Sequence, residues 1–131
     1  MRRWPARSAV VATAGPKQWV QLSFVAEPPF SVEVETPEGA VPVIRVEGEL
    51  DFLTSPRLRA ALLDVFTNHP GDCIVDLSAT AFMDSIGMSV LIQAAQRLRA
   101  SNGTLEVRPS AEVRKVLDVA GVSPLFRYTG S

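Results

Sequence analysis

Polar residues that could carry chemistry lie at two points of the chain, at Asp51 and at the pair Asp84 and Ser85. The pair follows an apolar run at residues 73–77 and precedes apolar residues with helical spacing, so it is predicted to lie where a loop turns into a helix. Backbone N–H groups lack partners at a helix start, and the helix dipole there favours negative charge. A hydroxyl at this position can cap the helix or carry a phosphate, so Ser85 is a candidate for both roles.

Capping alone is the more ordinary explanation of Ser85, because serine is a preferred helix N-cap. Asp84 could cap the helix equally well, however, so the pair is more polar than capping requires. Gly87 lies in the predicted first turn, where glycine costs up to about 1 kcal/mol relative to alanine. A residue without a Cβ atom leaves the backbone bare, which suits close approach by another molecule. These neighbours favour a site over a simple cap.

The sequence lacks the residue patterns that serine hydrolases and ATP-binding enzymes use. A hydrolase nucleophile elbow reads Gly-x-Ser-x-Gly, whereas Met83 stands two residues before Ser85. His69, the only histidine, precedes a strand of about 17 Å whose far end leads to Ser85, too far for a hydrogen bond. No Gly-x4-Gly-Lys-Ser/Thr loop is present to hold ATP phosphates. We therefore expect a protein that is not an enzyme and that needs no cofactor.

Composition argues against nucleic-acid and metal-binding classes. The formal net charge is −1, from 13 basic and 14 acidic residues, which gives no case for nucleic acid as the partner. His69 has no second ligand candidate beside it and is predicted to be a solvated loop residue. Cys73 is the only cysteine and is predicted to be an inert residue of a buried strand. We therefore expect no metal site.

Targeting and membrane segments are not predicted either. No apolar run approaches the 18 or so residues that a membrane span needs. The apolar residues 9–14, which follow Arg2 and Arg3, are too few and too weakly hydrophobic for a convincing signal peptide. We therefore expect a cytoplasmic protein that does not insert into membranes.

The first 29 residues are predicted to be an extension that is partly disordered. Residues 1–16 mix Arg, Ala, Ser and Pro without a helical or strand period. The apolar residues at 19–25 could form an extra strand or a linker, and the prolines at 28 and 29 mark a boundary.

From Phe30 onward, strand and helix patterns alternate in the order strand, strand, helix, strand, helix, strand, helix. Strands are predicted at 30–34, 41–46, 73–77 and 104–107, and helices at 56–68, 86–100 and 111–120, the third of them capped by Ser110. Residues 78–81 are predicted to break the third strand. Ser55 is predicted to cap the first helix, with Pro56 as its first residue. The apolar residues at 122–126 are predicted to pack back on the core.

This order predicts an α/β domain with a mixed, largely parallel sheet of four to five strands and three principal helices. The carboxyl ends of parallel strands meet at one edge of a sheet, where ligand and partner sites gather. Asp51 ends the second predicted strand, and Asp84 and Ser85 follow the third, so we expect all three at that edge. The inward positions are predicted to be buried: Leu62, Phe66, Val75, Leu91, Leu105 and Leu117.

Three short segments together resemble the STAS domain, and most closely its bacterial branch, the anti-sigma factor antagonists. They are Gly-Glu-Leu-Asp at 48–51, Ile-Val-Asp-Leu at 74–77 and Phe-Met-Asp-Ser-Ile-Gly-Met at 82–88. Residues 116–122, followed by Leu125 and Phe126, are similar to the end of that domain. The resemblance covers about residues 30–128, which indicates a STAS domain at 30–131 behind the extension at 1–29.

The resemblance implies a binding switch. An unphosphorylated antagonist binds an anti-sigma factor, which is usually also a serine kinase, and thereby releases a sigma factor. The kinase phosphorylates the motif serine, here Ser85, and a serine phosphatase resets the system. Ile86 departs from the family pattern, since a small polar residue often stands at that position, and this difference could tune the choice of kinase.

The residues expected to contact the partner are Asp51, Asp84, Ser85, Ile86, Gly87 and Met88. STAS domains also occur as subunits of lipid-transport systems and in stress-sensing assemblies, so the resemblance leaves these two roles as alternatives.

Overall fold

The structure is a computed structural model that describes residues 29–128 of the 131-residue chain. The predicted extension therefore lies outside the described residues, apart from Pro29. The strands are β1 (Ser31–Glu35), β2 (Val43–Leu50), β3 (Cys73–Met83), β4 (Leu105–Pro109) and β5 (Arg127–Tyr128). The helices are α1 (Ser55–Asn68), α2 (Ser85–Ala100) and α3 (Ala111–Val119), with a short 3₁₀ turn at Ser123–Leu125.

The five described strands form one sheet in the order β1-β2-β3-β4-β5. β1 pairs with β2 in antiparallel fashion, whereas β2, β3, β4 and β5 are parallel to one another. Each parallel pair is joined through one α-helix, as a crossover connection between parallel strands usually is. The predicted mixed, largely parallel α/β fold with three helices is therefore confirmed.

The core lies between the helices and the inward-facing positions of the strands. Leu62, Val75, Leu91, Leu105 and Leu117 are buried, as their spacing predicted. Phe66 is partly buried and packs against the core, at the margin between α1 and α2. The Arg97 guanidinium lies 5.5 Å from the centre of its ring there.

Strand β3 corrects the predicted break at residues 78–81, because it continues to Met83. The additional residues are accommodated by register shifts against β2, next to Arg45 and Gly48. The hydroxyl of the buried Thr80 donates to the Val46 carbonyl at 3.0 Å, so a polar residue is satisfied inside the strand. The longer strand carries Asp84 and Ser85 directly to the sheet edge.

The start of α1 and the tail after α3 differ in detail from what the sequence predicted. Helix α1 begins at Ser55, with Thr54 as the N-cap residue and Pro56 in second place, one residue earlier than predicted. The Ser55 hydroxyl donates to the Asp51 carbonyl instead of capping the helix. The apolar tail does pack back on the core, since Phe126 is buried, and it continues into β5, which was not predicted.

Candidate functional site

The candidate site is the carboxyl edge of the sheet, where β2 and β3 end side by side. Leu50, the last residue of β2, is in register with Met83, the last residue of β3. The Asp84 N–H donates to the Leu50 carbonyl at 3.1 Å, which ties the two strand ends together. This pairing brings Asp51, Asp84 and Ser85 to one edge.

Asp84 joins two separate segments through its carboxylate. Oδ1 accepts from the Gly87 N–H at 2.9 Å and so caps α2. Oδ2 accepts from the Phe52 N–H at 3.1 Å, across 32 positions of sequence. Asp84, rather than Ser85, therefore satisfies the helix start and also holds the loop after β2.

Ser85 is the first residue of α2 and is exposed to solvent. Within residues 29–128, its hydroxyl forms no hydrogen bond to another protein group. Because Asp84 performs the capping, the Ser85 hydroxyl is free for other chemistry next to the positive end of the helix dipole.

Asp51 organises the loop of residues 51–54 that connects β2 to α1. Its Oδ1 accepts from the Leu53 N–H at 3.0 Å and from the Thr54 N–H at 3.1 Å. The Thr54 hydroxyl donates to the Glu49 carbonyl at 2.7 Å, which closes the loop onto the end of β2. Backbone N–H groups 52, 53 and 54 all donate to carboxylates, so both aspartates stabilise this loop.

Four large apolar side chains are exposed around the two aspartates, those of Phe52, Leu53, Phe82 and Ile86. Phe52 is 64% exposed and Leu53 is 70% exposed, while Phe82 and Ile86 are about half exposed. Of these four, the sequence prediction had included only Ile86. The available signal was an apolar pair inside a turn, between Asp51 and the start of α1, where polar residues are usual.

Gly87 serves a close approach within the chain rather than by another molecule. The residue is buried, and a Cβ atom there would lie 2.8 Å from the Leu50 carbonyl oxygen and 2.9 Å from Leu50 Cγ. Met88 is half-buried and packs against the core. Among the residues predicted for partner contact, Ser85 and Ile86 are therefore the exposed ones, and Gly87 positions α2 against β2.

A second carboxylate cluster lies away from the edge, in the middle of β3. Burial raises the pKa of Asp76, but hydrogen bonds from the Ser78 hydroxyl and N–H, at 2.6 and 3.0 Å, and then from Arg45 outweigh it. The net result is a pKa below the usual range. Arg45 Nε lies 3.4 Å from Asp76, and Arg45 also pairs with Glu35 at 3.2 Å. This cluster ties β1, β2 and β3 together on one face of the sheet.

His69 and Cys73, whose side chains could serve catalysis or bind a metal, lie apart from Ser85. His69 is exposed and follows α1, at the opposite end of the 11-residue strand β3 from Ser85. A strand of that length spans about 33 Å, so the two side chains cannot form a catalytic pair. Burial raises the pKa of the Cys73 thiol to about 12, so this cysteine is inert at neutral pH. Over the described range, no His, Cys, Asp and Glu cluster of three or more could hold a metal ion.

None of the helices between residues 29 and 128 combines the length and apolar character needed to cross a bilayer.

Comparison with known proteins gives consistent matches over the described domain. The family model for the STAS domain matches residues 31–130. The anti-sigma-F factor antagonist RsfB of Mycobacterium tuberculosis is 27% identical over 100 residues, which cover 76% of this chain and 82% of that protein.

Two solved structures are similar in both fold and sequence. An anti-sigma factor antagonist from Mycobacterium paratuberculosis superposes with a TM-score of 0.67 at 28% identity, over 78% of this chain and 86% of that one. The Bacillus cell fate determinant SpoIIAA in its phosphorylated form superposes with a TM-score of 0.61 at 26% identity, over 77% and 93% of the two chains.

Proposed function

This chain belongs to the STAS domain family, and from that membership we propose that it is an anti-sigma factor antagonist. In its unphosphorylated form it binds an anti-sigma factor that is also a serine kinase, and this binding releases a sigma factor. The names of the mycobacterial relatives support the general role, because the matches cover more than three quarters of this chain and of each relative. The same names favour this role over a lipid-transport or stress-sensing subunit.

Phosphorylation of Ser85 is proposed to switch the binding off. The observation that carries this step is the exposed Ser85 hydroxyl at the first position of α2, left free because Asp84 caps the helix. The similarity to SpoIIAA, a protein whose structure is known in a phosphorylated form, supports the same step. Neighbouring hydroxyls are less suitable: Thr80 is buried, and Ser89 donates to the Ser85 carbonyl at 3.0 Å.

The effect of a phosphate follows from its charge. At neutral pH a phosphoserine carries about −1.5 to −2 charges, which the start of α2 can accommodate within the chain. A partner packed over Ser85 would instead bury that charge beside the carboxylates of Asp84 and Asp51. A penalty of about 1–3 kcal/mol would weaken binding roughly 5- to 150-fold. A serine phosphatase then restores the binding form, and the cycle proceeds in the cytoplasm without a cofactor.

The test combines mass spectrometry with binding assays. The full chain is incubated with ATP and each purified anti-sigma kinase of the source organism, and phosphorylated residues are mapped. Ser85→Ala should block phosphorylation and keep the partner bound, whereas the control Ser89→Ala should behave like the wild type. Ser85→Asp should weaken binding, though less than a phosphate does, since a carboxylate carries less charge. Phosphate found elsewhere, or wild-type affinity in Ser85→Asp, would contradict the proposal.

A further inference from the structure

The loop of residues 51–54 presents two adjacent large apolar side chains to solvent. Phe52 and Leu53 are 64% and 70% exposed, and they follow one another in the chain. Single exposed apolar residues are common on protein surfaces and need no explanation. Here Phe82 and Ile86 add two further exposed apolar side chains from the segment that Asp84 ties to the loop.

The backbone that carries Phe52 and Leu53 is held in one conformation by carboxylates. The Phe52 N–H donates to Asp84, and the Leu53 and Thr54 N–H groups donate to Asp51. An exposed loop would ordinarily leave such groups to water. Because the loop is already ordered, a partner that receives these side chains loses little entropy in fixing them.

The same hydrogen bonds place the loop beside the proposed phosphate acceptor. Asp84 accepts from Phe52 with one oxygen and caps α2 with the other, one residue before Ser85. Any surface that covers Phe52 must therefore approach the start of α2. A phosphate on Ser85 would lie at the margin of an apolar contact, where its desolvation is most costly.

We propose that Phe52 and Leu53 are the anchor residues of the interface and that they determine which anti-sigma factor this chain binds. This role rests on the proposed function. The partner presents an apolar pocket that receives both side chains, with a basic margin facing Glu49, Asp51 and Asp84. Large apolar side chains buried at the centre of an interface supply most of its binding energy, surrounded by weaker polar contacts.

The charge of the surroundings favours a protein pocket over a lipid surface. Glu47 and Glu49 are exposed on the last residues of β2, and Glu49 is in register with Phe82, close to the strand ends that carry Asp51 and Asp84. Anionic lipid headgroups attract basic segments and repel carboxylates. A pocket lined by apolar residues and edged by Lys or Arg complements both parts of this surface.

The experiment measures the affinity of the full unphosphorylated chain for each purified anti-sigma factor of the source organism by calorimetry. Phe52→Ala and Leu53→Ala should each weaken binding to the cognate factor by about 10- to 30-fold, as truncation of an interface anchor does. Leu63→Ala is the matched control, because Leu63 is also an exposed leucine but lies on α1. The affinity of this variant for the anti-sigma factor should change less than about twofold. Phe52→Leu should retain most of the affinity. Melting temperatures should stay at the wild-type value, since both anchors are largely exposed.

The outcomes separate this inference from the proposed function. If the wild type binds an anti-sigma factor and both alanine variants bind it equally well, the anchors are wrong while the proposed function stands. If the wild type binds none of the factors, the proposed function fails and the anchor role fails with it. Binding to phosphatidylglycerol-containing vesicles that is lost in Phe52→Ala would also overturn the inference, since it would assign the loop to a lipid surface.

Discussion

Asp84 and Ser85 are adjacent residues with separate tasks. The two Asp84 oxygens are each committed to a backbone N–H, one in α2 and one in the loop after β2. Ser85 therefore stands at a capped helix start without contributing to the cap, so its modification removes no described hydrogen bond of its side chain. If Ser85 accepts the phosphate, as proposed, that phosphate can be added or removed while Asp84 keeps both of its hydrogen bonds.

Because the Asp76 carboxylate is stabilised in the folded state, we predict that the unfolding free energy decreases as the pH is lowered. Its pKa is lowered in the folded state, so its stabilising contribution is present above the unfolded value of about 3.9 and is lost as pH falls through the folded value. The unfolding free energy of Asp76→Asn should lie below that of the wild type at pH 6, and the gap should narrow below about pH 4. Denaturant melts of the wild type and of Asp76→Asn across pH 3–6 measure the two unfolding free energies and the gap between them.

A suitable control for this prediction is Asp118→Asn. Asp118 pairs with Arg114 at 3.1 Å but is exposed, so solvent screens the interaction and the variant should differ less from the wild type. A gap between wild type and Asp76→Asn that stays constant from pH 6 to pH 3 would contradict the role of the Asp76 charge.

At the scale of elements, α2 is the part that positions the site. Its inward face is buried through Val90, Leu91, Ala94, Ala95 and Leu98, while its first turn packs against the end of β2 through Gly87. The axial position of the helix, and with it the place of Ser85, therefore depends on core packing along α2 and on a close contact at its start.

Gly87→Ala should destabilise the fold although alanine favours helices. The added Cβ would meet the Leu50 carbonyl oxygen, a backbone atom that cannot move aside cheaply. Overpacking costs about 1–3 kcal/mol, against a gain of up to about 1 kcal/mol in helix propensity. We expect a net loss of about 1–2 kcal/mol in unfolding free energy. Ser89→Ala, at an exposed position of α2, is the control and should change the unfolding free energy by less than about 0.5 kcal/mol. A Gly87→Ala variant more stable than the wild type would contradict the prediction, since it would show that α2 can shift freely.

Leu91→Ala tests the inward face of α2. Leu91 is fully buried, so truncation leaves a cavity and should lower the unfolding free energy by about 2–5 kcal/mol. Denaturant melts at neutral pH measure this loss. A change below about 0.5 kcal/mol would mean that the cavity collapses without cost, which a close-packed core does not allow.

At the scale of the whole molecule, the described domain has its own continuous core. The buried residues run from Phe30 to Phe126, and the STAS match begins at residue 31. The last strand, β5, pairs with β4 only through Arg127 and Tyr128, so the sheet gains its final edge from residues just beyond the core.

Deletion of residues 1–16 should leave the melting temperature nearly unchanged. These residues show no strand or helix period, and they precede every residue of the described core. Thermal melts of the full and shortened chains measure the difference. Removal of residues 1–30 is the contrasting variant, because it also removes the buried Phe30 and should lower the melting temperature. A large drop on removal of 1–16 alone would indicate docking, with Trp4 as the expected anchor.

Local sequence was sufficient for the order of elements from β1 to α3 and for the place of Ser85. The switch from a strand period to a helix period at Ile86 depends only on neighbouring residues, as do the Ser110 cap of α3 and the apolar spacing of Leu91. The structure confirms the cap through the hydrogen bond from the Val113 N–H to Ser110 Oγ at 3.1 Å. The motif around Ser85 was equally visible, because its residues are contiguous.

Tertiary structure alone decided which of these residues face solvent and which face the chain. The burial of Gly87 depends on Leu50, and the fixed loop under Phe52 depends on Asp84. The extension of β3 to Met83 likewise depends on pairing with β2. Each of these contacts joins residues more than 30 positions apart, and a period within one segment cannot report which distant residue will lie beside it. The exposure of Phe52 and Leu53 was missed for this reason: in the sequence they are apolar residues of a turn, and only the closed sheet edge leaves them facing solvent.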